Sequence, residues 1–241
     1  MNKSFAFAGI VLAAATLAPS FALADDGISY NVGVVTDYRY RGISQTRLKP
    51  ALQGGVDYTK GAFYVGTWAS TIKWIKDAGG EAGVEWDIYG GYKGEISKDL
   101  TYDVGVLRYQ YLKTAAANTF EIYGALTFGP GTVKYSHSTT NLFGFAESKN
   151  SGYLEASATY EVAGLAVTPH LGYQSVAKGG DFSYLDYSLT VGKEVAKGLT
   201  LTAAVVGADT KSIGGVKAYA SPVNGKDTGR AGLVLGAKFA F

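Results

Sequence analysis

From about residue 25 to its last residue the chain alternates between apolar or aromatic and polar side chains, in twelve separate runs. Period two is the repeat of a β-strand, whose successive side chains point to opposite faces. The runs lie near residues 28–41, 51–59, 62–72, 82–96, 100–111, 119–128, 132–139, 152–162, 166–175, 184–195, 199–209 and 230–241. Tyr, Val, Thr and Phe recur in them, side chains that suit a pleated, half-buried surface. A chain built this way is all-β.

The links between runs fall into two classes that alternate. Lys60-Gly61, Ser97-Lys98-Asp99, Gly129-Pro130-Gly131, Ala163-Gly164-Leu165 and Ala196-Lys197-Gly198 are short. Residues 42–50, 73–81, 112–118, 140–151, 176–183 and 210–229 are long. A soluble sandwich gives no reason for such alternation. A closed antiparallel transmembrane β-barrel does, with short periplasmic turns and long extracellular loops, and an even number of about 12 strands returns both termini to the short-turn end.

The first 24 residues predict the compartment. Lys3 heads an apolar stretch over 5–18, and Ala22-Leu23-Ala24 matches a small-x-small cleavage site, so 1–24 reads as a removed signal peptide before a single barrel domain over 25–241. Pro19-Ser20 stops the stretch short of the roughly 20 apolar residues that a spanning helix needs. The expected location is the outer membrane of a Gram-negative cell, in contact with its lipids and lipopolysaccharide. With 22 basic and 20 acidic residues the chain offers nucleic acid no electrostatic footprint. Zero cysteines exclude a disulfide framework, a thiol nucleophile and a zinc-thiolate site. No nucleotide loop, EF-hand or nucleophile elbow occurs, and the reading calls for no cofactor and no metal.

In a membrane barrel the apolar phase of each strand meets lipid and the polar phase lines the lumen. On the apolar phase, Tyr30, Tyr58, Tyr92, Tyr102, Phe128, Tyr160, Phe239 and Phe241 gather beside the short turns, as an aromatic girdle at headgroup level would. Leu233, Leu235, Ala237, Phe239 and Phe241 alternate to a terminal aromatic, similar to the C-terminal signal that delivers such barrels to their insertion machinery. The polar phase places the acids Asp37, Asp57, Glu85, Asp87, Asp103, Glu121, Glu155 and Asp186 in the lumen, with the bases Arg39, Arg41, Lys134 and Lys238. Tyr89, Tyr109, Tyr123, Tyr153 and His170 share that face. Three places fit less simply. Pro169 has no N–H and predicts a bulge. The run over 62–72 carries aromatics on both phases. Arg108 falls on the lipid phase, which is tolerable near the outer rim.

The segment Asp37-Tyr38-Arg39-Tyr40-Arg41-Gly42-Ile43-Ser44-Gln45-Thr46 resembles a hallmark of the proteobacterial TorF-type putative porins, as do Tyr64-Val65-Gly66-Thr67-Trp68-Ala69-Ser70 and Glu85-Trp86-Asp87-Ile88-Tyr89-Gly90-Gly91-Tyr92. The resemblance implies an outer-membrane barrel and carries no set of functional residues with it. The expected activity is passive diffusion of small hydrophilic solutes, with a preference for cations or neutral solutes from eight luminal acids against four bases. A closed structural or adhesive barrel with binding loops is the alternative, its longest loop carrying Lys211, Lys217 and Lys226. A lipid-acting enzyme would need a nucleophile beside His137, and Ser136 and Ser138 belong to the opposite face. The chain therefore reads as no enzyme.

Overall fold

The structure is a computed structural model that describes residues 26–241; the signal peptide expected over 1–24 lies outside them. The described residues form a closed antiparallel barrel of twelve strands. These are β1 (Gly27–Val35), β2 (Ala51–Lys60), β3 (Phe63–Thr71), β4 (Val84–Ser97), β5 (Leu100–Gln110) and β6 (Thr119–Phe128). There follow β7 (Gly131–Ser138), β8 (Gly152–Ala158, resuming as Tyr160–Val162), β9 (Leu165–Ser175), β10 (Tyr184–Ala196), β11 (Leu199–Asp209) and β12 (Gly232–Ala240). Each strand pairs with the next, and β1 closes on β12 with Asn31 opposite Ala240 and Val35 opposite Gly236. The seam is sealed at its end by Tyr30 N–H to Phe241 O (2.8 Å) and Phe241 N–H to Tyr30 O (3.0 Å). No edge strand is left, and the ladder runs around the whole wall apart from one lapse in β8, as a sheet immersed in hydrocarbon requires. No described helix is long and apolar enough to cross a membrane.

The alternation of faces is clear on the wall. Val32, Val34, Val104, Val106, Ile122, Leu126, Leu233 and Leu235 are exposed on the outer surface, while their sequence neighbours turn inward. At the short-turn end aromatic rings join into a belt. Tyr30 stacks on Phe241 at 5.7 Å, Phe241 on Phe239 at 5.5 Å, Phe63 meets Tyr92 edge-on at 4.8 Å, and Tyr92 stacks on Tyr102 at 6.1 Å. Tyr58, Phe128 and Tyr160 are exposed on the same surface. Arg108 is exposed on the outer face and donates to Gln110 Oε1 (2.8 Å), near the long-loop end of β5.

Three expectations change. The run over 62–72 resolves with Phe63, Val65, Thr67 and Ala69 outward and Tyr64, Gly66, Trp68 and Ser70 inward. Pro169 produces a break rather than a bulge: β8 pairs with β9 as Ser157–His170 before the gap and Tyr160–Val167 after it, one unshifted register. Across the gap the Thr159 and Thr168 hydroxyls bond at 2.9 Å. Register shifts occur instead at Glu95/Ser97 and Glu194/Ala196, beside short turns. Finally, the first strand ends at Val35 and not at residue 41, for reasons that define the lumen.

Candidate functional site

Residues 36–50, the first long loop, leave the wall and fold back into the barrel. Arg39–Tyr40 and Ile43–Ser44 pair as a two-residue ribbon whose turn is Arg41-Gly42. Both turn residues have positive φ (45° and 78°), as a tight hairpin turn of the primed type requires. Asp37 holds the base of this hairpin. Its Oδ2 accepts from Arg39 Nε (2.5 Å), and its Oδ1 accepts from Ser44 Oγ (2.5 Å) and Thr46 Oγ1 (3.0 Å). Arg39 Nη1 also donates to the carbonyls of Gly42 (2.9 Å), Thr228 (3.0 Å) and Arg230 (3.1 Å), which ties the first loop to the last.

The hairpin tip crosses the lumen. Arg41 donates through Nη2 to Glu121 Oε2 on β6 (2.8 Å) and through Nη1 to Gln174 Oε1 on β9 (2.6 Å). Its guanidinium lies 4.2 Å from the ring centre of Tyr153 on β8 and 4.7 Å from that of Tyr40. Arg41 and Glu121 are each only 2% exposed, and Tyr153 is 0% exposed. Trp68, Glu85, Tyr109, Gln174 and Asp186 on the surrounding wall are also buried. The long-loop half of the lumen is thus filled by protein rather than open to water.

Packing explains why the loop stays in. Tyr38 meets Trp68 edge-on at 5.5 Å and donates to Glu85 Oε1 (2.5 Å), whose other oxygen accepts from Tyr111 (2.5 Å). Burial, then the nearby Glu85 carboxylate, raises the Tyr38 pKa well above its usual value, so the hydroxyl remains a donor. Tyr40 bonds the Tyr109 hydroxyl at 2.8 Å, and Ile43 is buried beside Tyr184 and Ala208. Burying each such apolar side chain stabilises the seat by about 1.5–3 kcal/mol. The Arg41–Glu121 pair, by contrast, carries a desolvation cost of several kcal/mol per ion that its attraction and hydrogen bonds largely offset. Apolar packing therefore supplies the seat's stability, and the ion pair fixes its register.

Beneath this plug the short-turn half of the lumen is wetter. Tyr89 donates to Asp57 (2.5 Å), Tyr64 to Asp103 (2.7 Å), and Tyr64 and Tyr123 share a hydrogen bond. Lys134 lies 4.3 Å over the Tyr123 ring, and Lys93 lies 3.8 Å from Asp103. Lys238 is inward on β12. Several of these rings lie flat over a glycine on the next strand: a Cβ at Gly66 would enter Tyr89, and one at Gly105 would enter Tyr123. Between plug and vestibule, His170 Nε2 sits 3.1 Å from Asp186 and 3.1 Å from Tyr153 Oη, with Nδ1 3.6 Å from Glu155.

The seventeen side chains expected in the lumen lie inside the barrel, with Tyr109 on β5 and Tyr153 on β8 both buried there. Asp57, Glu85, Asp87, Tyr89, Asp103, Glu121, Tyr123, Lys134, Glu155, His170, Asp186 and Lys238 are inward on the wall. Asp37, Arg39 and Arg41 are inside the barrel on the folded loop and line no strand, which corrects their placement on the first run. Sequence reasoning missed Lys93, Tyr64, Trp68 and Gln174. It also missed the loop aromatics Trp74, Phe143, Phe145, Phe182 and Tyr219, which border a cavity of about 380 Å³ at the long-loop mouth. His137 faces outward while Ser136 and Ser138 are buried on the inner face, so they form no nucleophile and base pair.

Residues 22–239 match the family described as bacterial protein of unknown function (Gcw_chp), and the chain belongs to that family. None of the curated proteins matches the sequence. Among solved structures it is similar to the KdgM porin, with 8% identity and TM-score 0.56 over 89% of this chain and 98% of that one. A KdgM porin in complex with disordered oligogalacturonate gives 8% identity and TM-score 0.55 over the same shares. The NanC porin gives 11% identity and TM-score 0.57 over 89% of this chain and 99% of that one. At these identities the similarity is one of fold.

Proposed function

We propose that this Gcw_chp-family barrel is an outer-membrane, porin-like channel for small hydrophilic solutes, shut in the present state by its first loop. One observation carries the reading: the loop is a hairpin seated across a lumen that is otherwise polar, with Arg41 spanning from Glu121 to Gln174. A barrel whose interior were merely structural would fill itself from its own strands, as narrower barrels do. Here the filler is the connection over 36–50, which takes no part in the β1–β2 ladder, so its displacement would leave the closed sheet intact. The short-turn vestibule, with Lys93, Lys134 and Lys238 beside Asp57 and Asp103, adds cationic groups to an acid-rich lumen. That moderates the cation preference expected from the wall acids. The narrower placement among the TorF-type putative porins rests on residues 37–46, 64–70 and 85–92 and is part of this proposal.

Planar-bilayer recording on the purified full chain tests it. Arg41→Ala leaves Glu121 buried and unpaired, a penalty of about 3–5 kcal/mol that disfavours the seated loop. The expected result is rare, brief conductance steps for the unmodified chain and a much higher open probability for Arg41→Ala. The double variant Arg41→Met/Glu121→Leu replaces the pair by apolar groups and should keep the loop seated and the channel shut. Silence from Arg41→Ala and from a chain lacking residues 38–46 would refute conduction and leave a closed barrel.

A further inference from the structure

The cavity at the long-loop mouth, about 380 Å³, lies above the plug, and the conduction reading makes no use of it. Every one of the six long loops gives it a ring: Tyr40, Trp74, Tyr111, Phe143 with Phe145, Phe182, and Tyr219. The rings form two groups. Trp74 meets Tyr111 edge-on at 5.4 Å, and Phe143 meets Tyr40 at 5.3 Å. In the second group Phe145 packs on Phe182 at 4.7 Å and Tyr184 on Tyr219 at 5.1 Å. The turn that carries Phe143 and Gly144 with positive φ (47° and 85°) sends Phe143 to one group and Phe145 to the other.

The polar groups on this wall are mostly committed. The Tyr40 hydroxyl bonds Tyr109 (2.8 Å), Tyr111 donates to Glu85 (2.5 Å), and Tyr219 donates to the Phe182 carbonyl (2.7 Å). Gln174 is engaged by Arg41, Gly152 and Ser175. Arg47 is paired with Asp77, so the cavity gains no net charge from them. The Trp74 indole N–H, the Tyr184 hydroxyl and the Gln45 side-chain carbonyl make no hydrogen bond among the described residues. A saccharide carries a hydroxyl on nearly every carbon and would enter with most of them stripped of water and without a partner on this wall, each at a cost. A flat apolar solute has no such burden, and one oxygen function would be enough to meet Tyr184 or Gln45. The size and apolar lining are those of a small-molecule pocket.

We infer that the mouth is a binding site for a small uncharged aromatic molecule bearing one or two oxygen functions. The inference is independent of conduction, because it is read as equilibrium binding. The probe is 4-nitrobenzyl alcohol, with maltose as the hydroxyl-rich counterpart, followed by saturation-transfer NMR on the full chain in detergent micelles. Saturable binding of the aromatic alcohol and none of maltose is expected. Affinity should fall at least tenfold in Phe182→Ala/Tyr219→Ala. It should fall as far in Ala220→Trp, which fills the cavity without removing any of its rings. Mobility of the unheated protein in electrophoresis reports whether each barrel is intact. Equal affinity in the unmodified chain and in Ala220→Trp would mean partition into the micelle or the barrel wall, and would overturn the inference. So would maltose binding as tightly as the aromatic alcohol.

Discussion

Gly42 is where the plug depends on the absence of a single carbon. Its φ is 78°, and a Cβ built there would stand 2.7 Å from Asp186 Cβ and 2.8 Å from the Gly207 carbonyl oxygen. Asp186 and Gly207 belong to β10 and β11, and a hydrogen-bonded wall yields little without bending neighbouring ladders. Gly42→Ala should therefore cost the seated loop about 1–3 kcal/mol, through both the strained φ and the overlap. Read as native-state amide exchange, that is roughly a 5- to 150-fold faster exchange over residues 38–46, since each 1.4 kcal/mol is tenfold. Exchange on β1 to β12 should not change. An unaltered rate in the loop would mean that the hairpin tip is not pressed against β10 and β11. The same glycine was the legible sign that the first run does not continue as a wall strand. It interrupts a strictly alternating segment after Arg41, and glycine is the residue that most readily takes the positive φ of a two-residue hairpin turn. What hid it is that the loop itself has two chemistries: Tyr38 and Tyr40 pack on rings while Asp37, Arg39 and Arg41 hydrogen-bond, so period two survives past the strand's end.

At the level of strands, connection lengths and faces could be read from the chain because a barrel wall has only two environments, lipid and lumen. The run over 62–72 resisted because β3 has a third one. Its inward face meets the plug, where Trp68 packs on Tyr38, so both faces need apolar groups and the contrast disappears. The aromatic mouth was not legible at all, since its rings come from six separate loops whose meeting depends on tertiary structure. Pro169 was legible as a fault but not as to its kind. A bulge inserts a residue, whereas here the ladder to β9 lapses at Ala158 and Thr159 and resumes in register, while the β7 side continues through Thr159 N–H to the Pro130 carbonyl (2.9 Å). Pro169→Ala restores a donor opposite β8. It should extend continuous pairing through residues 158–160, slow amide exchange there, and stabilise the barrel by about 0.5–1.5 kcal/mol, the net worth of one hydrogen bond. A shifted register in the variant, seen as changed cross-strand contacts at Ser157–His170, would show that the proline sets the alignment of β8 and β9.

For the molecule as a whole, the decisive asymmetry is that its outside is greasier than its inside. Val104, Val106, Ile122, Leu126, Leu235 and their neighbours are exposed around a barrel whose interior holds Glu85, Asp87, Glu121 and Asp186 out of solvent. In water this arrangement would spend apolar surface outward and desolvate charge inward, both unfavourable. In a bilayer the outer belt costs nothing and the closed ladder satisfies the backbone. The two media make opposite predictions for a charge placed on the belt. Leu235 lies on β12 between the aromatic end and the loops, facing outward, and Leu235→Arg should cost about 2–4 kcal/mol if that height is mid-membrane. Gln53→Arg, inward on β2 at the border of plug and vestibule, keeps its charge in the lumen and should cost far less. Arg108 shows that the outer rim already tolerates such a group. Reversible urea unfolding in large vesicles measures all three positions, with Arg108→Leu as the rim control at about 0–1 kcal/mol. A Leu235→Arg cost no larger than the rim value would mean that lipid does not reach the belt, and the inside-out logic of the fold would have to be abandoned.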